Sequence, residues 1–259
     1  AATGSIAMVD GAATSTTGSG NIRYSAGTTI TVGSLSTLGS VSLKGTAITD
    51  SGTSEVDVTA NNLRIDGSER AGEELNHLET TVSTLSAKVG AGGLFLTETD
   101  GLTVDTVFDV TVNRVKTDGA VAGSTLTDAV QSDLISAGDL VIKTINGSIT
   151  VNGGSATPTE GISGNGDILL LAEETAEATT ADITLNASVI STTGNISFQS
   201  SDSITQTATV GDITTSGASK TIDLKADDAI NMGDGALTQS NDGNIRYEAT
   251  AGNITLGEL

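Results

Sequence analysis

The chain has 259 residues and a formal net charge of −21, with 32 acidic against 11 basic side chains. Neutralising phosphates needs clustered Lys and Arg, so nucleic-acid binding is excluded on charge, and an anionic bilayer surface would repel the chain. No cysteine is present and only 2% of residues are aromatic against 36% hydrophobic, so disulfide and thiol chemistry is absent and any core must be aliphatic.

The first elements in chain order are IAMVDGAAT at 6–14, GNIRY at 20–24 and GTTITVGSL at 27–35. The same series returns as INMGDGALT at 230–238, GNIRY at 243–247 and GNITLGEL at 252–259. The only two methionines, Met8 and Met232, and the only two tyrosines, Tyr24 and Tyr247, fall in register. Self-similarity at a fixed offset predicts one continuous repeat architecture over 1–259, with a unit of 224 residues (1–224) and the start of the next at 225–259. No signal peptide is visible at Ala1, as expected of a segment from inside a longer polypeptide. No apolar run approaches the roughly 18–20 residues that span a bilayer.

Residues 68–88 carry Leu75, Leu78, Val82 and Leu85 at helical spacing behind Ser68, but Val82 alternates with Thr81 and Ser83 in a β-branched setting. A loop or single helical turn over 72–77, followed by strands, is expected; GGLFL at 92–96 then resumes a strand. From residue 147 a short phrase recurs: GSITV at 147–151, GDILL at 166–170, ADITL at 181–185, GNISF at 194–198, GDITT at 211–215 and GNITL at 252–256. Weaker copies begin at Ser201, Lys220 and Asp228. Apolar and polar residues alternate at period two, which predicts strands, and Gly, Asn and Asp supply the bends. Strands this short must stack, so the predicted fold is all-β, a parallel β-solenoid of roughly 17–25 residues per coil with short loop or helical insertions. About 11 coils per unit, some 4.8 Å apart, would make a rod on the order of 50 Å. The single proline, Pro158, fits strands that donate to neighbours on both sides. Residues 152–166, which hold Pro158, and 173–180 are expected loops.

The chemistry-bearing residues form no constellation. His77 is the only histidine, and a triad or zinc site lacks its partners, so it reads as a partly exposed loop residue. No glycine loop of the phosphate-binding kinds opens a helix. Asp227 and Asp228, and Asp100, Asp105 and Asp109, are the acids a sugar-cleaving β-helix would use, but the aromatic platforms and basic residues of such clefts are missing. The expectation is no catalytic, cofactor or metal-binding residue. The calcium nonapeptide and the EF-hand spacing are both absent; GISGNGDIL at 161–169 has its aspartate one position early. Glu173, Glu174 and Glu177 could hold calcium loosely, but a solvated acidic face explains them more simply. Arg23 and Arg246 stand at outward mid-strand positions, either beside neighbouring carboxylates or at a contact between repeats.

GNIRY, GSITV, GDILLL and GGLFLTETDGLTV together resemble the repeats of filamentous-haemagglutinin-like exoproteins, and more closely the long repeats of giant β-strand-repeat surface proteins of environmental bacteria. The likeness covers nearly the whole chain, and its specificity lies in the number and order of the motifs. The resemblance implies a right-handed parallel β-helix, secretion, and a place in an adhesin or cell-surface fibre. The Asn-Pro motifs of the haemagglutinin secretion domain have no counterpart, so the segment would be shaft. The function expected is an extended acidic shaft in an extracellular filament, sheath or adhesin stalk, not an enzyme, whose partners are neighbouring repeats end to end and side by side. The alternative is an adhesive module binding a glycan or host protein through loops at 68–78 or 155–164, with a polysaccharide-active enzyme third.

Overall fold

The computed structural model describes residues 3–257 apart from 53–54, 156–158 and 176–179. Every regular element among them is a β-strand, and the strands stack in parallel into a solenoid. One inward position is followed from coil to coil by strand register: Ile6 pairs with Ile30, then Ile48, Ala71 and Leu94. The column continues through Leu140, Ile168, Ile196, Ile222 and Ile245, so ten coils lie one upon another. At about 4.8 Å per coil they make a rod about 45 Å long.

Alternation explains the burial. In Ile168–Ala172, Ile196–Ser200 and Ile222–Ala226 the first, third and fifth residues are turned inward, while the intervening residues look outward. Ile149, Ile183, Ile204 and Ile230 stack in a second column and are wholly buried. Ile213 lies in a third, buried column above Ile162 and Val189, and Ile245, at the last coil, packs partly buried against the core. The interior is filled by Ile, Leu and Val; Phe198 is the largest side chain wholly enclosed.

The recurring Gly-Asx-Ile phrase is a corner. Asp139 Oδ1 accepts the Asp167 N–H at 2.8 Å, Asp167 Oδ1 the Asn195 N–H at 2.6 Å, and Asn195 Oδ1 the Thr221 N–H at 3.0 Å. Each short side chain thus satisfies a backbone donor one coil above, which the bend removes from the sheet ladder. The preceding glycine is required by proximity: a Cβ on Gly194 or Gly243 would overlap the carbonyl oxygen of Gly166 or Lys220 beneath it.

Residues 72–77 form the loop of the two expected alternatives, a tight turn closed by an antiparallel bridge between Glu73 and Asn76 with Gly72 at φ +72°, and Leu78–Val89 then runs on as one long strand. Three expectations need correction. Within the expected loop 152–166, Glu160–Gly164 is a strand paired with Ser188–Ser191, while Pro158 lies outside the described residues. Two coils are longer than expected, Leu140, Ile168 and Ile196 standing 28 residues apart. Eight column steps lead from Ile6 to Ile222, so 224 residues span eight coils and part of a ninth, not 11.

The corners also migrate. In the first coils the wall is divided as Ile30–Val32, Ser34–Ser36 and the start of Ser40–Asp50; in the later ones as Ile168–Ala172, Ile183–Leu185 and Ser188–Ser191. The column of Leu35, Val58 and Thr80 passes through Glu98 into Thr144 and Ala172, so a strand that forms its own face early becomes the end of the first face later.

Ile183→Ala removes a wholly buried rung and is expected to cost about 3 kcal/mol in chemical denaturation. Gly194→Ala, a smaller chemical change at a buried corner of the rod, is expected to lower the melting temperature as well, because the coil beneath cannot move aside.

Candidate functional site

The rod is interrupted once, between Leu102–Val104 and Leu134–Ser136, where the chain leaves the wall. Val110–Asn113 and Thr125–Asp128 pair as an antiparallel hairpin, and the returning segment is laid across the outside of the preceding coils. At those coils Arg23, Ser42, Arg64 and Ser86 form an outward-facing column. Arg23 Nε and Nη2 donate to Asp128 Oδ2 and Oδ1, each at 2.8 Å, and Ser42 Oγ adds a third bond to Asp128 Oδ2 at 2.8 Å. Arg64 Nε donates to the Ala129 carbonyl at 3.1 Å, Gln131 Nε2 to the Ile65 carbonyl at 2.8 Å, and Ser86 Oγ to the Asp133 carbonyl at 3.2 Å. The strap rejoins the wall at Asp133, whose φ of 68° is a conformation that Asp tolerates better than most residues. It accounts for outward residues that are nonetheless buried, Ser42 and Ser86 completely and Arg64 to 7% exposure.

Asp128 is buried, which by itself raises a carboxyl, but the hydrogen bonds from Arg23 and Ser42 and the charge of Arg64 outweigh burial and hold it below the ordinary range. The pair is therefore present at neutral pH and lost as pH falls through the depressed value. Arg246, the repeat counterpart of Arg23, has no strap above it and pairs instead with Asp223 and Glu248 at the surface.

A second cluster joins Asp50, Asp57 and Glu79, each offering an oxygen within 4.8 Å of the others. Asp57 and Glu79 occupy adjacent rungs, as the pairing of Val58 with Thr80 requires, and Asp50 ends the strand that precedes them. Asp50 Oδ2 and Glu79 Oε2 are buried without a hydrogen-bond partner. Burial, a hydrogen bond to Asp50 and the two negative neighbours push Asp57 up to about 9, against one opposing bond from the Glu79 N–H. Burial and the Asp50 charge raise Glu79 as well. Such a trio can share a proton or hold a hard cation through oxygen ligands. Glu98 is a further buried acid. It points into the rod at zero exposure, accepts from Thr80 Oγ1 at 2.6 Å and the Val82 N–H at 3.0 Å, and is raised by burial to about 8.

Of these groups the sequence singled out only Arg23, which lies beside a carboxylate as expected, and the acids that were singled out do not converge. Asp227 and Asp228 are exposed at a corner, where their backbone N–H groups donate to Ser200 and Asp202. Asp105 accepts from Asn152 and from the Thr106 N–H, and Asp109 accepts from the Val130 N–H. Asp100 is exposed beside the Glu98 carboxyl. Glu173 pairs with Lys143 at 2.8 Å, and Glu177 lies outside the described residues. His77 is half-buried, with Nδ1 2.9 Å from Thr97 Oγ1 and its ring tilted against Phe95. Burial, then Lys143, lowers its pKa, so it stays neutral at pH 7.

Two concavities flank the strap. A cleft of about 300 Å³ is walled by Val130, Gln131, Ile135 and Ile162. A shallower groove of about 600 Å³ is lined by Asn62, Thr84, Asp105 and Phe108, whose ring is 77% exposed. No protein-family model, curated protein or solved structure matches the chain.

Two predictions follow from the strap and the cluster. Arg23→Ala leaves Asp128 buried with weaker compensation and is expected to cost about 3 kcal/mol, with faster hydrogen exchange across 110–128; Arg246→Ala is expected to leave stability unchanged. Asp57 holds a proton in the folded protein that the unfolded chain releases near pH 4, so its contribution is full below that pH and declines as pH rises toward 9. Asp57→Asn is therefore expected to raise the melting temperature at pH 8 more than at pH 5, and equal shifts at both would show that the proton is not held there.

Proposed function

We propose that the chain is a repeat of an extracellular shaft, a mechanical element of a bacterial surface filament, sheath or adhesin stalk in which units of 224 residues follow one another in one solenoid. The observation that supports this reading is the pairing of the two GNIRY strands. Ile22–Ser25 is joined along its following edge to the strand that starts at Ser40, Ile22 pairing with Val41. Ile245–Ala249 is joined along the opposite edge to Ile222–Ala226, Ile245 pairing with Ile222. Read together, the two copies display both neighbours of one strand inside a continuous stack. An uncovered strand edge is a template for further strands, and in an array the next coil covers it.

The local contacts agree. The Tyr24 hydroxyl meets Thr14 Oγ1 at 2.6 Å, and the Tyr247 hydroxyl meets Thr238 Oγ1 at 2.6 Å. Ile6 pairs with Ile30 as Ile230 pairs with Ile254. The acidic surface favours solubility of an isolated rod and opposes non-specific association. The carboxylates considered for catalysis are each taken up in corners or hairpin ends, which supports a non-enzymatic role. The likeness to haemagglutinin-like and giant surface-protein repeats belongs to the same reading, as do secretion and lateral or end-to-end contact with further copies.

A second reading, an adhesive module, is favoured by the groove beside Phe108, where an exposed ring faces Asn62 and Asp105 in the manner of a sugar-stacking platform. It is compatible with the shaft, since the groove belongs to the strap and not to the stack.

Electron microscopy of the native material is expected to show thin unbranched filaments with an axial period of about 40 Å, eight coils and a fraction at about 4.8 Å each. Separate compact particles would overturn the shaft.

A further inference from the structure

Following strand register from one end of the rod to the other shows that the repeat copies do not stand above one another. Ile22 belongs to the column of Val41, Leu63, Leu85, Val104, Val151, Leu185, Gln206 and Met232. Its sequence counterpart, Ile245, belongs instead to the column that begins at Ile6. Met232, the counterpart of Met8, stands above Ile22, and Thr238, the counterpart of Thr14, stands in the column of Tyr24, Leu43 and Ile65. Every repeated strand thus stands in a different column from its first copy. Ile222 is eight full coils above Ile6, but the strand equivalent to Ile6–Ala7 is Ile230–Met232, one strand beyond. The offset is eight coils plus one strand, and the tyrosine–threonine bond and the isoleucine pairing recur intact in the new position.

From this register, and resting on the shaft reading above, we propose that the free edge of Ile245–Ala249 is the docking surface for a further copy of this chain's Ser40–Asp50 strand, and that each successive unit is turned about the rod axis by part of a turn. Three observations support that occupant. The strand that presents the edge carries the same GNIRY sequence that receives Ser40–Asp50 in the first copy, with Ile22 on Val41 and Tyr24 on Leu43. The outward guanidinium of Arg246 is 57% exposed, whereas that of Arg23 is covered by Asp128 of the strap. Asn244 stands where Asn21 donates from Nδ2 to the Thr111 carbonyl of the hairpin at 3.1 Å. The strap of the next unit would therefore close over Arg246 and Asn244. Arg246 lies on the first face, and Arg23 on the face that follows Ser34–Ser36. Hairpins of successive units would therefore leave the filament on different sides.

The test is a chain continued from Leu259 with residues 36–259, bearing cysteines only in place of Ala120 and its copy, labelled with gold and imaged as single rods. The native chain has no cysteine, so the labels are unique. A rod about twice as long with the two labels on different sides of the rod supports the proposal. A rod of that length with both labels along one side overturns the rotation and leaves the shaft standing. Two separate short bodies overturn the shaft itself. In the same extended chain Arg246→Ala is expected to lower the melting temperature by several degrees, as Arg23→Ala does, although it has no effect in the 259-residue chain. An unchanged melting temperature would show that no strap closes there.

Discussion

The structure depends on the hydrogen bond between the backbones of successive coils. Because the strands of the rod wall pair in parallel from coil to coil, equivalent residues are held about 4.8 Å apart, and an inward side chain packs against the one at the same position in the next coil. Aliphatic side chains do this well. Ile149, Ile183, Ile204 and Ile230 repeat the same shape at the same height in each coil, and aromatic rings have little room in so narrow a section. The same constraint acts at the corners, where the backbone of one coil passes so close above another that only glycine fits, and where Asp or Asn serves the donor that the bend has freed.

Stacking also places like charges in register, and the rod handles them in different ways. Asp57 and Glu79 fall on adjacent rungs with no basic side chain to separate them, so burial and repulsion favour the neutral form. Glu98 lies within the core, supplied with a hydroxyl and backbone N–H donors. Asp128 is carried in from outside, on the strap, to a column of two arginines and two serines. The first two arrangements favour a proton and the third a charge, so pH moves them in opposite directions. Pairs at the surface, such as Lys44 with Asp66 and Lys143 with Glu173, contribute little by comparison.

The rotation between copies has a related origin. Nothing in a solenoid requires a sequence repeat to span a whole number of coils; it requires only that each strand find a compatible strand above it. Since inward positions on all faces are mostly aliphatic and Gly-Asx corners recur along the rod, the copy of a strand is accommodated in another column with its local contacts unchanged. The strap is the exception to this uniformity, because its partners Arg23, Ser42 and Arg64 occupy one particular outward column.

The period-two alternation of Ile with Ser, Thr and Asn, the Gly-Asx bends, and the paired Met and Tyr residues determined by themselves that the chain is an all-β stack built of repeats. These signals are local or recur at a fixed offset, and backbone pairing amplifies each one coil after coil. The tight turn at 72–77 was only half legible, because Leu75, Leu78, Val82 and Leu85 satisfy helical spacing as well as strand alternation; neighbouring strands on both edges of Leu78–Val89 decided it. Coil lengths were misjudged because residues added in a corner do not disturb the column they connect. Only the tertiary structure decided that Asp128 meets Arg23 across 105 positions, that Asp50, Asp57 and Glu79 meet at one corner, and that the second copy stands in different columns from the first. Those facts depend on how many residues each turn consumes, a sum over the whole path of the chain that no short stretch of sequence records.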